Sequence, residues 1–171
     1  LGGKARGLAF VNHVLLKYDF YKKWEHVRIM VPRTLVITTD YFDRFIIENG
    51  LQYVINADIS DTEILSEFVA STLPSDLTEA LKVFIHSMHR PIAVRSSSKL
   101  EDSYYQPFAG VYSTYMIPRT ENEDQMLRLL SKAIKSVYAS IYFAASRGYI
   151  AATANVISEE KMGIILQEVC G

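Results

Sequence analysis

The chain has 171 residues, 49% of them apolar and 22% charged, which excludes a disordered polymer and is long enough for a sizeable buried core. Eighteen Lys and Arg stand against nineteen Asp and Glu, and the formal net charge of -1 excludes broad electrostatic capture of nucleic acid or of an anionic membrane. One cysteine, Cys170, excludes an internal disulfide and points to a reducing compartment such as the cytoplasm, and no apolar run approaches the roughly 18 residues of a membrane span.

In chain order, Leu8, Val11, Leu15 and Tyr18 recur at spacings of three and four, so a helix over Ala5–Tyr18 is predicted with that stripe as its buried face. The Gly2-Gly3 pair precedes its N-terminus. Val27–Met30 reads as a short β-favouring stretch broken at Val31-Pro32, and Leu35–Thr38 as a second extended run. Thr39 or Asp40 caps a helix from Tyr41 to Asn49 with Gly50 as its stop. Ser60 and Glu63 have capping-box spacing for a helix to about Thr72, and Pro74-Ser75-Asp76 opens another that ends near His89.

Pro91 stops that helix, and Ile92-Ala93-Val94 forms a compact strand ending on Arg95. The serine-rich stretch Ser96–Pro107 reads as a long loop and Gly110–Tyr115 as a strand closed by Pro118. Acidic residues at Glu121, Glu123 and Asp124 open a helix whose apolar stripe runs from Met126 to Ile141, with a break at Gly148. Met162–Val169 is the last strand. Hairpin-like strands mixed with helices indicate an α+β layered fold. Because the chain starts on Leu1 before a glycine cluster and stops on an apolar run, residues 1–171 are expected to be a single fragment of a longer protein.

Two constellations can carry chemistry. Lys4 follows two glycines whose bare backbone lets amides approach an anion, and the adjoining helix N-terminus adds partial positive charge; the same pair also suits a plain turn. Arg95 stands where a buried strand opens into polar sequence, placed either to hold phosphate oxygens or to clasp Glu101 or Asp102. Ser96, Ser97 and Ser98 are either donors to phosphate or a solvated turn. His13, His26, His86 and His89 read as structural or surface residues, and no His/Cys cluster has zinc spacing.

Four motifs occur in a fixed order: Leu1-Gly2-Gly3-Lys4-Ala5 with Gly7-Leu8-Ala9; Val31-Pro32 with Val36-Ile37-Thr38-Thr39; Ala93-Val94-Arg95-Ser96-Ser97-Ser98 with Glu101-Asp102; and Phe108-Ala109-Gly110 with Thr114. Together they resemble the ATP-binding domain of the phosphoenolpyruvate synthase (pyruvate, water dikinase) and pyruvate phosphate dikinase family. The resemblance spans nearly the whole chain.

It implies the first lobe of an ATP-grasp domain in a larger multidomain enzyme, with a mixed or antiparallel sheet and flanking helices. Lys4 and Arg95 would neutralise the triphosphate and act in catalysis. Gly110 and Thr114 would lie against the phosphates, and Gln167, Glu168 and Val169 would form the inter-lobe strand that meets adenine. ATP and magnesium are the implied cofactors, the magnesium ligands falling outside this chain, and the implied partners are pyruvate- and phosphohistidine-bearing domains of the parent protein. The implied reaction moves a phosphoryl group from ATP to a histidine outside this chain and then to pyruvate, giving phosphoenolpyruvate, AMP and phosphate. The isolated chain is expected to be inactive. The alternatives are a related phosphotransferase acting on an antibiotic or a glucan, and a non-catalytic module that keeps the shape. Val111 replaces a glutamine common in the family, and Tyr104-Tyr105 replace smaller residues.

Overall fold

The computed structural model describes residues 2–98, 112–152 and 160–170. Their elements are α1 (Gly3–Lys17), β1 (Thr34–Ile37), α2 (Thr39–Glu48), α3 (Asp61–Ala70), α4 (Ser75–Ser87), β2 (Ile92–Ser98), β3 (Thr114–Ile117), α5 (Glu123–Ala139), α6 (Ala144–Ala151) and β4 (Met162–Glu168), with short 3₁₀ turns at Phe20–Lys22, Leu51–Ile55 and Ser140–Tyr142. The result is an α+β domain in which an antiparallel sheet carries flanking helices.

The sheet order is β1-β4-β2-β3, so the two longest strands sit in the middle. Register assigns the faces, because residues directly opposed across a ladder share one. Ile37, Ile164, Leu166, Ile92, Val94 and Ile117 fall on one face and join the apolar side chains of α2 to α6 in a single core. Thr34, Val36, Gln167, Ile165, Ala93, Arg95, Thr114 and Met116 fall on the other. The first turn of α1 lies on this second face, where Ala5 is buried.

Local signals explain the helical layer. Ser60 and Glu63 form the capping box, the serine hydroxyl accepting from the Glu63 amide at 3.3 Å and the glutamate accepting from the Ser60 amide at 2.8 Å. Arg44 makes a bidentate pair with Asp76 at 2.9 and 3.0 Å, and the Tyr41 hydroxyl donates to the same carboxylate at 2.9 Å, tying α2 to α4. The Lys135 ammonium donates to the carbonyls of Val69 and Ser71 and so caps the end of α3; its burial lowers its pKa. Phe42, Phe45, Phe68, Tyr138 and Tyr142 interlock at ring separations of 5.1 to 5.7 Å in the centre of the layer.

Several expectations are corrected. Val11 and Tyr18 are 47% and 62% exposed and Leu8 and Leu15 are only half-buried, so the predicted stripe of α1 is not a buried face: the buried residue of this helix is Ala5, in its first turn. Residues 27–30 form no strand, because β propensity without a ladder partner does not make one and pairing begins at Thr34, after Pro32. Ser96–Ser98 do not open a loop but continue β2, buried opposite Ile164, Gly163 and Met162, since β4 extends far enough to pair them. The strand expected from Gly110 begins at Thr114, and residues 110 and 111 lie outside those described. Gly148 does not break a helix but lies within α6; the break comes at Ser140–Tyr142.

Two measurements test this layer. The Tyr138 hydroxyl is buried with no hydrogen-bond partner among the described residues, and burial pushes its pKa up. Tyr138→Phe is therefore expected to stabilise the fold by about 1 kcal/mol in urea unfolding, whereas a loss of stability would show that the hydroxyl is satisfied. The hydrogen bonds from Arg44 and then Tyr41 hold the Asp76 carboxyl down at about 2. A depressed carboxyl stabilises the fold above its ordinary value near 4 and loses that contribution as pH falls towards 2, so in thermal melts between those pH values Asp76→Asn is expected to flatten the acid decline. The pair is half exposed, so the effect is small.

Candidate functional site

The second face of the sheet is the only place among the described residues where the sequence-predicted polar residues converge. Its geometry starts at Gly2. This residue is buried and extended, and a Cβ built on it would stand 1.7 Å from the Ser97 carbonyl oxygen. Gly163, opposite Ser97 in the ladder, is also tight, with a Cβ position 3.0 Å from that oxygen, 3.3 Å from the Ile37 carbonyl oxygen and 3.6 Å from the Gly2 nitrogen. The Ser97 hydroxyl accepts from the Ala5 amide at 3.1 Å, so β2 itself caps the start of α1. The first turn of α1 holds no acidic residue, which leaves its positive end uncancelled there.

Lys4 follows from that docking. It is half-buried, and its Nζ lies 3.3 Å from the carbonyl oxygen and 3.4 Å from the hydroxyl of Ser96. Arg95 is the preceding residue of β2, half-buried, and directly opposite Thr114 of β3, which is exposed. Its guanidinium makes no hydrogen bond or ion pair with the described residues. The clasp to Glu101 or Asp102 lies outside them, as do Gly110, Val111 and Tyr104-Tyr105.

Gln167 of β4 faces the same side, diagonal to Arg95 across the ladder, and its Nε2 donates to the Thr34 hydroxyl at 3.1 Å. Glu168 opposes Ile92 and falls on the other face; its amide donates to the Arg33 carbonyl at 2.9 Å. Val169 follows the strand and its amide donates to the Pro91 carbonyl at 2.9 Å. Both amides are thus engaged inside the protein.

Beside this face a cleft of about 340 Å³ lies between α1 and the segment leading into β1. Leu8, Ala9, Val31, Pro32 and Val36 supply its apolar walls, and Arg33, Asn12 and Thr34 the polar part of its lining. Sequence reasoning missed the cleft, Thr34 and the capping role of Ser97. The strand glycine Gly163 was the available signal, since glycine inside a strand marks a close backbone approach.

No group of three or more His, Cys, Asp or Glu among the described residues is placed to hold a metal ion. His86 pairs with Glu123 at 3.0 Å on the surface, and His13, His26 and His89 are exposed. No helix among the described residues is long and apolar enough to cross a membrane.

Arg95, Thr114 and Gln167 thus share one face of an antiparallel sheet, with Lys4 at the adjoining helix start and a cleft of mixed lining beside it. The chain belongs to the family described as "Pyruvate phosphate dikinase, AMP/ATP-binding domain", which matches residues 1–171. Among its relatives, the Bacillus subtilis (strain 168) protein named "Uncharacterized phosphotransferase YvkC" is 34% identical over 137 residues, 80% of this chain and 15% of that protein. The phosphoenolpyruvate synthase of Aeropyrum pernix is 26% identical over 170 residues, 87% of this chain and 18% of the enzyme. The "Prodigiosin synthesizing transferase PigC" of Serratia marcescens is 24% identical over 173 residues, 98% of this chain and 16% of that protein. The chain therefore spans less than a fifth of the length of these relatives. Its homology is to the nucleotide-binding domain of the phosphoenolpyruvate synthase and pyruvate phosphate dikinase phosphotransferases.

The Gly2 contact gives a direct test. Gly2→Ala forces the start of α1 off β2 and moves Lys4 away from Ser96, so in the full-length protein nucleotide affinity is expected to fall about tenfold or more while the helical core stays folded. Unchanged affinity in a titration of that variant would separate the Gly2 contact from nucleotide binding.

Proposed function

We propose that this chain is the first lobe of an ATP-grasp site in a phosphoenolpyruvate synthase-like dikinase. In the complete protein it holds ATP for transfer of a phosphoryl group to a histidine on another domain and then to pyruvate. The observation that carries this reading is the shared sheet face: Arg95, Thr114 and Gln167 lie on it by register, with Lys4 at the adjoining helix start.

The donor set fits a nucleoside triphosphate. Lys4 and Arg95 would offset the phosphate charge, and as it redistributes during transfer they would stabilise the oxygens that gain it. Thr114 would donate its hydroxyl to the phosphates, with Gly110 beside it. The cleft at Thr34, the residue that Gln167 contacts, has a mixed lining and room for a purine, and Glu168 and Val169 of the same strand end would meet the base. Neither Lys4 nor Arg95 acts as a nucleophile; both position and neutralise. Magnesium would supply further charge neutralisation, and its carboxylate ligands are expected outside this chain. Acceptor choice falls to the remainder of the polypeptide, in keeping with the different names carried by relatives that share this domain.

The test is phosphohistidine formation from labelled ATP by the full-length protein. Arg95→Ala is expected to reduce it about 100-fold or more, the usual cost of removing one group that stabilises transition-state charge. An unchanged rate would overturn the role assigned to Arg95, and absence of any phosphohistidine in the unaltered protein, with ATP still bound, would favour a non-catalytic module.

A further inference from the structure

We infer that the outer face of α1 and the aromatic turn after it form a docking surface for an acidic segment of the same polypeptide outside residues 1–171, one that sets an apolar side chain into the cleft at Val14 and Tyr18. The inference stands apart from the nucleotide reading.

Charge is unevenly spread along the chain. Residues 3–28 carry six Lys and Arg against two acids, Asp19 and Glu25, while the chain as a whole carries eighteen against nineteen. Helix α1 itself has no acidic residue. A basic stretch inside a chain of net charge -1 makes a local field, and it favours a local partner of opposite sign.

Apolar side chains are exposed along the same stretch. Phe10 and Val14 stand four apart on α1 and Tyr18 follows at its end, so the three line up along one side. Phe10 is 67% exposed and Tyr18 62%. Beyond them the rings of Tyr18, Phe20 and Trp24 form a chain with centroid separations of 6.4 and 6.3 Å. Trp24, Val27 and Met30 are exposed as well, and apolar surface gathered in this way marks a contact site. An open cleft of about 770 Å³ lies within it, lined by Val14, Tyr18, Asp19, Phe20, Lys22 and Lys23.

Lysines stand over these rings. Lys17 Nζ lies 5.4 Å from the Tyr18 ring centroid, and Lys23 Nζ lies 5.2 Å from the centroids of both Phe20 and Trp24. An ammonium resting on a ring has given up freedom beforehand and keeps N–H donors for a carboxylate. Apolar groups bordered by charge are the anatomy of a polypeptide contact. A second copy suits this face poorly, because a two-fold pairing brings Lys17, Lys22 and Lys23 towards their own counterparts. A flat bilayer leaves the cleft unfilled. The matched region is 15% to 18% of the length of the relatives, so the same polypeptide is the source of the covering segment.

The experiment is carbodiimide coupling of the full-length protein in a mixture of isotope-labelled and unlabelled chains, since this reagent joins amines only to carboxylates they already touch. Peptide mapping is expected to find Lys17, Lys22 or Lys23 joined to Asp or Glu outside residues 1–171, with both peptides from one chain. Products that mix the two isotopes would assign the face to a second copy, and absence of any product reaching outside residues 1–171 overturns the inference. Hydrogen exchange of the full-length protein gives an independent readout. Lys17 and Lys23 are exposed, so changing them leaves the core intact. The double variant Lys17→Glu with Lys23→Glu is expected to raise exchange in the coupled segment about tenfold, whereas Lys17→Arg with Lys23→Arg keeps the charge and the protection. Unchanged exchange in the Glu variant overturns the contact. Sedimentation of the unaltered protein with phosphatidylserine vesicles, lost in the Glu variant, would assign the face to a membrane and overturn it as well.

Discussion

At Gly2 the chain passes so close to the backbone of β2 that no side chain fits, and the rest of the candidate site depends on that approach. A Cβ there would stand 1.7 Å from the Ser97 carbonyl oxygen. Because both positions facing this oxygen, Gly2 and Gly163, are bare, α1 can dock end-on against the central strands. The Ser97 hydroxyl then takes up the Ala5 amide, and Lys4 is carried to Ser96. A helix that met the sheet along its length would cover the second face. Here Ala5 is the buried residue of α1, Arg95 and Gln167 stay half-buried and Thr114 exposed, and Val11 and Tyr18 are exposed along a stripe that reads as core.

The arrangement also reconciles charge with chemistry. A formal net charge of -1 gives no long-range field for anions, so capture has to be local. In the proposed site strand pairing would provide that local capture: Arg95 is fixed by two ladders, and Lys4 by a helix start whose Ala5 amide donates to Ser97. Cations held by the backbone lose little conformational freedom when an anion arrives, and such preorganisation is what a phosphoryl-transfer site requires. The other face meets the opposite demand, with apolar residues joined to five helices whose polar ties, such as Arg44 to Asp76 and Lys135 to the end of α3, lie at the rim.

Much of the architecture was legible in the residues themselves. The capping box at Ser60 and Glu63, the stops at Gly50 and Pro91 and the long stripe of α5 are local signals, and local physics decides them. The candidate site was suggested only by ordered motifs, since Lys4, Arg95, Thr114 and Gln167 are far apart in the chain and no spacing relates them. Where the reading failed, a non-local partner was the cause. Ser96–Ser98 look like a loop until β4 pairs them, residues 27–30 look like a strand but receive no partner, and Val11 and Tyr18 look like core although the sheet ends short of them.

By itself, then, the sequence determined the helices and the α+β class and offered Lys4 and Arg95 as candidates to hold a phosphate, because these follow from propensity, capping and side-chain chemistry. Only the tertiary structure decided which of those residues share a face, that the Thr34 hydroxyl meets the Gln167 amide, and that a cleft lined in part by Thr34 lies beside them. The physical reason is strand register: a shift of one residue in either ladder of β4 would exchange the faces of Gln167 and Leu166, and register is fixed by contacts between residues more than sixty positions apart.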